Sequence, residues 1–452
     1  MTNLWFETAL LPTGWAGRVR LRIEHGLIAA IAVGVEPEAG DARHAIALPG
    51  LANVHSHAFQ RGMAGLTEYR GDARDDFWSW RELMYRFLDR LTPEDVAAIS
   101  AQAFAEMLQG GFTRVGEFHY LHHDPAGAAY PNLAEMAGQI VAAADETGIG
   151  LTLLPVYYRQ SNFGGAPALP GQRRFLNDPD RFARLVEESR RATSALPDAN
   201  LGVAPHSLRA VTPEDLADIT RLAGGGQIHI HAAEQTREVD DCLAWCGRRP
   251  VEWLLDEAGV DARWCLVHAT HLTPDETTRL AASGAVAGLC PITEANLGDG
   301  VFPAEAYIGA GGAIAVGTDS NILIDAAQEL RSLEYGQRLT RRARNVLTTP
   351  EETSNGARLF KAALAGGARA LGIATAGLQL GASADIVSLN PDDLSLVGRD
   401  GDKLLDGWIF ASGSTAVDRV WRRGALVVEN GRHIAATKIA ANYRRSLERL
   451  LA

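Results

Sequence analysis

Short apolar runs recur through the middle of the chain, each cut off by polar residues and followed by a longer segment with a different rhythm. Eight runs stand out: IALPGLANVHSH, TRVGEFHYLHH, GLTLLPVYY, LGVAPHS, QIHIHAAE, CLVHATHL, AVAGLCPITEAN and AIAVGTDSN. Runs this short are strand-sized. Stretches such as TPEDVAAISAQAFAEMLQGG, PNLAEMAGQIVAAADETG and TPEDLADITRLAGG instead space their apolar residues as a helix does. Strand–helix alternation repeated in this way predicts an α/β fold of the (β/α)8 barrel type. An open, doubly wound sheet is the competing architecture. Its GxGxxG signature at a first strand–helix turn is not found here.

The two ends of the chain have another texture. LWFETALL, RVRLRIEHGLIAAIAVG and EPEAGDARHAIALPG read as strands divided by Gly, Pro and Asp turns. GASADIVSLNP and STAVDRVWRRGALVVENGRHI repeat that texture near the C-terminus. The two ends are therefore expected to build one small β domain together, from residues 1–47 and 376–452, around a barrel spanning 48–375. The closing TKIAANYRRSLERLLA has helical spacing and is expected as a surface helix.

Composition narrows the partners. With 46% hydrophobic and 22% charged residues the chain is ordinary for a globular protein. Its formal net charge of -12 argues against nucleic acid or an anionic membrane as a partner. No apolar stretch approaches the ~20 residues of a membrane span, and MTNLWFETALLPTGW lacks the basic and apolar regions of a signal peptide. Four cysteines without a CxxC pair fit a reducing, cytoplasmic setting. A symmetric homodimer is the default expectation for assembly.

The candidate chemistry lies where the runs end. Nearly every run closes on polar groups: His55/His57, His119/Tyr120, Tyr157/Tyr158, His206, His231/Glu234, His268/His271, Thr293/Glu294/Asn296 and Thr318/Asp319/Ser320. In a barrel the strand C-termini share one mouth, so these groups are expected to meet there. Residues i and i+2 of a strand point the same way, so His55 and His57 can both face the barrel axis. With His231, His268 and Asp319 they form a set of the residue types that bind zinc and related metals. A lone histidine on an apolar strand is more often a satisfied core residue; the set as a whole carries the metal reading. Glu234, three residues after His231, is either a proton-transfer group or a carboxylate favoured by a helix N-terminus. Arg81 and Arg209 are either ordinary loop arginines or planar, bidentate recognisers of an acidic substrate.

HSH after the first strand, HAAE after the fifth, His268 after the sixth and GTDSN after the eighth resemble the amidohydrolase superfamily. That resemblance implies a (β/α)8 barrel with a β-sandwich built from both termini. Binuclear members bridge two metals with a carbamylated lysine from the fourth strand. Here the fourth run ends VAPHSLR, and the first lysine of the chain is Lys361. One divalent metal is thus implied, zinc by default, with His55, His57, His231 and Asp319 as ligands. Glu234 would shuttle protons to the substrate nitrogen and His268 would hold the nucleophilic water. Asp319 could also accept a proton from that water.

A narrower resemblance rests on HSHAFQRGMAGL, DDFWSWRELMYRF, GEFHYLHH, APHSLRAV, HIHAAEQ and GTDSNILIDAAQELRSLEYGQRL. Together they resemble the formimidoylglutamate deiminase family of bacterial histidine degradation. That family hydrolyses the formimino C=N bond of N-formimino-L-glutamate, releasing ammonia and N-formyl-L-glutamate. The resemblance implies a small dicarboxylate substrate. Gln60, Tyr120, Arg209 and Arg81 would bind its glutamate portion, and His206 would lie near the formimino end. Two other readings stay open: a deaminase of a cyclic amidine of purine or pterin type, its ring held by Trp78, Trp80 and Phe118, and a catalytically silent barrel.

Overall fold

The structure is a computed structural model that describes residues 2–69 and 76–452. The DDFWSWRELMYRF segment thus loses its first residue, Asp75, which lies outside the described residues. Eight parallel strands form the centre: β1 Leu51–Ser56, β2 Phe112–His119, β3 Gly150–Tyr157, β4 in two short pieces (Asn200–Leu201 and Ala204–Pro205), β5 Ile228–Ala232, β6 Trp264–His268, β7 Val286–Leu289 and β8 Ala313–Val316. Bridges Val203↔Ile228 and Ser207↔His231 join β4 to β5, and Ser56↔Asp319 joins β8 to β1. The ring closes, giving the (β/α)8 barrel. Most barrel-strand residues are buried on both faces, as parallel strands under a helical layer must be.

The helices start sharply for a local reason. Thr92, Asp178, Thr212 and Thr273 each cap a helix by accepting a backbone N–H three residues on, and each is followed by proline at the first helical position. The three Thr-Pro pairs and the one Asp-Pro pair therefore set where four of these helices begin.

The first apolar run departs from its reading as a single strand. IALPGLANVHSH is divided at Gly50 between strand Ala42–Pro49 and β1. A side chain at Gly50 would lie 2.2 Å from Thr113, so only glycine lets the chain turn here against β2. Strand Ala42–Pro49 belongs to a second, eight-stranded sheet that runs two residues past the expected boundary at 47. The N-terminal strands of that sheet meet those of the C-terminus where Ala42–Pro49 pairs antiparallel with Ile386–Leu389. The sheet encloses its own core, Leu4, Phe6, Leu21, Ile386 and Trp421 among others. The final helix, Ala436–Leu451, lies on the barrel. Tyr443 Oη donates to the carbonyl of Arg61 at 3.2 Å, and Arg449 pairs with Asp95. Among the described residues no helix is long and apolar enough to cross a membrane.

Candidate active site

Strand alternation brings His55 and His57 together: their Nε2 atoms are 3.2 Å apart. His231, at the end of β5, brings its Nε2 within 3.1 Å of that of His55. Asp319 Oδ1 is 3.4 Å from His55 Nε2 and 3.3 Å from His57 Nε2. All four side chains are buried, and their donor atoms lie within 4.8 Å of one another. Ligands held 2.0–2.1 Å from a tetrahedral zinc ion stand about 3.3 Å apart, so the cluster has the spacing of a metal site. Burial drives the histidines toward the neutral, metal-binding form, taking His55 down to about 3 and lowering His57 and His231. His57 Nδ1 donates to the Phe118 carbonyl at 2.9 Å, and His231 Nδ1 to that of His206 at 3.1 Å. These contacts leave each Nε2 lone pair facing the cluster.

Asp319 is held by backbone that only this sequence permits. Gly317 precedes it because a Cβ there would lie 2.8 Å from the His55 backbone. Asp319 itself adopts φ 43°, a left-handed conformation that is rare away from glycine. Asn321 Nδ2 fixes the turn by donating to the carbonyls of Asp319 and His57, both at 3.1 Å. Burial works against the Asp319 carboxylate. The His55 hydrogen bond and the neighbouring imidazoles outweigh it and hold the group well below the usual range.

His268 and Glu234 stand beside this cluster. His268 Nε2 is 3.9 Å from both Glu234 Oε1 and Asp319 Oδ2, while Nδ1 lies 3.2 Å from Glu294 Oε1. His268 also has a positive φ, 67°. Burial pushes Glu234 up to about 7 against the pull of His268 and Arg209. A carboxyl group in that range exchanges protons at neutral pH.

One cavity opens over these groups. Its wall includes His57, His231, Glu234, His268 and Asp319, and also Gln60, Arg81, Tyr120, His206 and Arg209. His55 sits directly behind it. Gln60 Nε2 donates to Tyr120 Oη at 2.9 Å, leaving Gln60 Oε1 buried without a partner. Arg209 is buried, 3.9 Å from both Glu234 Oε2 and Glu238 Oε2. Arg81, on helix Phe77–Leu88, lays its guanidinium 4.5 Å from the centre of the Trp78 ring. Arg61 turns away and pairs with Glu106 at 2.7 Å.

Not every polar strand end reaches the mouth. His119 packs against His122, Tyr157 against Phe182, and Asn296 donates to Glu68. None of these, nor His271, lines the cavity. His119 and Tyr157 are out of phase with their inward neighbours Tyr120 and Tyr158. Glu294 and Asn296 lie on helix Pro291–Leu297 rather than at a strand end. Of the aromatic residues expected to hold a ring, only Trp80 lines the cavity; Phe118 packs behind His55 and His231. Of the polar groups expected at the mouth, Tyr158 lines the wall and Glu294 stands behind it at His268. The sequence reading missed Met84, Tyr85 and Phe175 in the wall and Glu238 behind it. Glu238 was accessible from its place one helical turn after Glu234. Phe175 comes from the long connection after β3 and has no local signature.

Comparison with known proteins agrees with this geometry. The amidohydrolase family profile matches residues 46–427, and the profile described as "Formimidoylglutamate deiminase HutF, N-terminal domain" matches residues 1–45. The chain is 48% identical to a formimidoylglutamate deiminase of Pseudomonas aeruginosa, over 100% of both chains. It is 29% identical to an 8-oxoguanine deaminase of the same organism, covering 86% of this chain and 84% of that one. Among solved structures, an amidohydrolase from Brucella melitensis superposes with a TM-score of 0.97 at 53% identity, covering 100% of both chains. On its sequence and its barrel alike, the chain belongs to the amidohydrolase family.

Proposed function

We propose that the protein hydrolyses the formimino C=N bond of N-formimino-L-glutamate, giving N-formyl-L-glutamate and ammonia, as a step of histidine degradation. The carrying observation is a metal-binding cluster and two guanidiniums lining one cavity. The full-length similarity to the Pseudomonas aeruginosa deiminase supports the same reading.

His55, His57, His231 and Asp319 would hold one divalent ion. Three imidazoles and a carboxylate are a donor set suited to zinc. Such an ion would lower the pKa of a bound water to about 7 and so supply a nucleophile at neutral pH. His268 orients the attacking water through Nε2, and Glu294 at Nδ1 fixes that ring. Glu234 holds a proton beside the reacting carbon and delivers it to the departing nitrogen. Arg81 and Arg209 take one carboxylate of the substrate. Gln60 and Tyr120 meet the other, and His206, its ring 4.8 Å from that of His231, stands near the formimino end. The four cysteines are free thiols, which supports a reducing cytoplasmic setting.

Incubating metal-loaded protein with N-formimino-L-glutamate and following product by mass spectrometry tests the reading. Formation of N-formyl-L-glutamate is expected; recovery of unchanged substrate would contradict it. A cyclic-amidine deaminase, suggested by the 8-oxoguanine deaminase similarity, is the second reading. Two guanidiniums in the wall suit a flat neutral ring poorly.

A further inference from the structure

Behind the cavity wall lies Gln172, fully buried in the connection between β3 and β4. Its Oε1 accepts the Leu169 N–H at 2.8 Å, which settles the orientation of the amide. The NH2 group therefore faces two phenols. It donates to Tyr158 Oη at 2.8 Å and to Tyr85 Oη at 3.2 Å. Tyr158 follows β3 and Tyr85 sits on helix Phe77–Leu88, so one amide ties two separate parts of the wall together.

The polarity of this arrangement points to a ligand. A phenol whose oxygen accepts a hydrogen bond still has one O–H to donate. The two phenols adjoin, so one O–H can be satisfied between them and one remains. The guanidiniums of Arg81 and Arg209, which can only donate, also act on Tyr158; the His206 ring stands 4.7 Å from the Tyr158 ring, and among the described residues no hydrogen bond joins the two side chains. Among the described residues no carboxylate or carbonyl accepts from either hydroxyl. This part of the wall has a surplus of donors, and the acceptor must come from what enters the cavity.

We propose that Gln172 is a positioning residue that aims the Tyr158 hydroxyl, with Tyr85 beside it, at the carboxylate taken by Arg81 and Arg209. The phenol pair thereby helps to select a substrate with an anionic group at this wall. The assignment rests on the reading under Proposed function that the substrate is a dicarboxylate. A purely structural role for Gln172 would need the amide only to fill space and brace the connection.

Tyr158→Phe keeps the ring and removes only the hydroxyl. In steady-state kinetics of the metal-loaded full chain with N-formimino-L-glutamate, KM should rise about tenfold or more, with kcat held within about threefold. Gln172→Leu should raise KM in the same way. Adding it to the Tyr85→Phe/Tyr158→Phe double variant should raise KM no further, since no hydroxyl is left to aim. An unmoved KM in Tyr158→Phe overturns the assignment, and so does a Gln172→Leu effect that adds in full to that of the double variant. If Gln172→Leu does not fold, Tyr158→Phe alone decides. No turnover by the unmodified enzyme would overturn the substrate reading and this assignment with it. Turnover with an unmoved KM in Tyr158→Phe overturns the assignment alone.

Discussion

The barrel carries an arginine–carboxylate cluster at each end, and the two are built differently. At the lower end Arg114, near the start of β2, and Arg422 of the terminal sheet share Asp198, the latter at 2.5 Å; Arg422 also pairs with Asp385. At the mouth, Arg209 stands 3.9 Å from each of Glu234 and Glu238, and its Nε makes no hydrogen bond. Burial penalises the carboxylates in both places. At the lower end Arg422 and Arg114 overcome it, and Asp198 lies below its ordinary range. At the mouth burial prevails, and Glu234 and Glu238 are both raised. Direct pairs fasten the terminal sheet to the barrel. Spaced pairs leave a proton on Glu234 and a guanidinium able to meet a ligand.

Breaking the mouth should affect chemistry, and breaking the lower end should affect stability. The largest effect is expected for His231→Ala. Elemental analysis should find the metal lost, and ammonia release should fall by more than the 10–100-fold typical of removing an outer-shell partner. Next comes Glu234→Gln, which should keep the metal but lower kcat by at least ~10², measured by ammonia release. Arg209→Met should raise KM for the dicarboxylate about tenfold or more while sparing a neutral cyclic amidine, in a side-by-side kinetic comparison. Glu238, already raised by burial, can take a proton when that arginine is lost.

Asp198→Ala is the counterpart at the lower end. It should leave kcat and KM in place and cost about 3 kcal/mol in urea unfolding, since it strands buried Arg114, which pairs with Asp198, while Arg422 keeps Asp385. The smallest effect is in the pH dependence. Because the folded value of Asp198 is depressed, its contribution is present above about pH 4 and is lost as pH falls through the folded value. Asp198→Asn should flatten the acid limb of stability against pH. An unchanged limb would remove Asp198 from the fastening.

The ring of strands and the metal cluster were legible because both rest on short-range rules. Alternation puts His55 and His57 on one face, and the barrel brings strand ends to one mouth. The same alternation explains why His119 and Tyr157 fall away, a distinction that counting polar strand ends did not draw. Arg81 is a different case. Its place depends on how helix Phe77–Leu88 lies over the mouth and on the Trp78 ring beneath it, which no local pattern states. Gln172 is the least legible: its role needs Leu169, Tyr85 and Tyr158 at once, and Tyr85 is 87 residues away.

The central claim is that one metal held by His55, His57, His231 and Asp319 enables hydrolysis of N-formimino-L-glutamate. Its most direct test strips the protein with a chelator, restores zinc in steps, and measures bound metal and ammonia release on the same samples. Release should rise in proportion to bound metal and level off at one ion per chain. Full release without bound metal, or none at one ion per chain, would contradict the account.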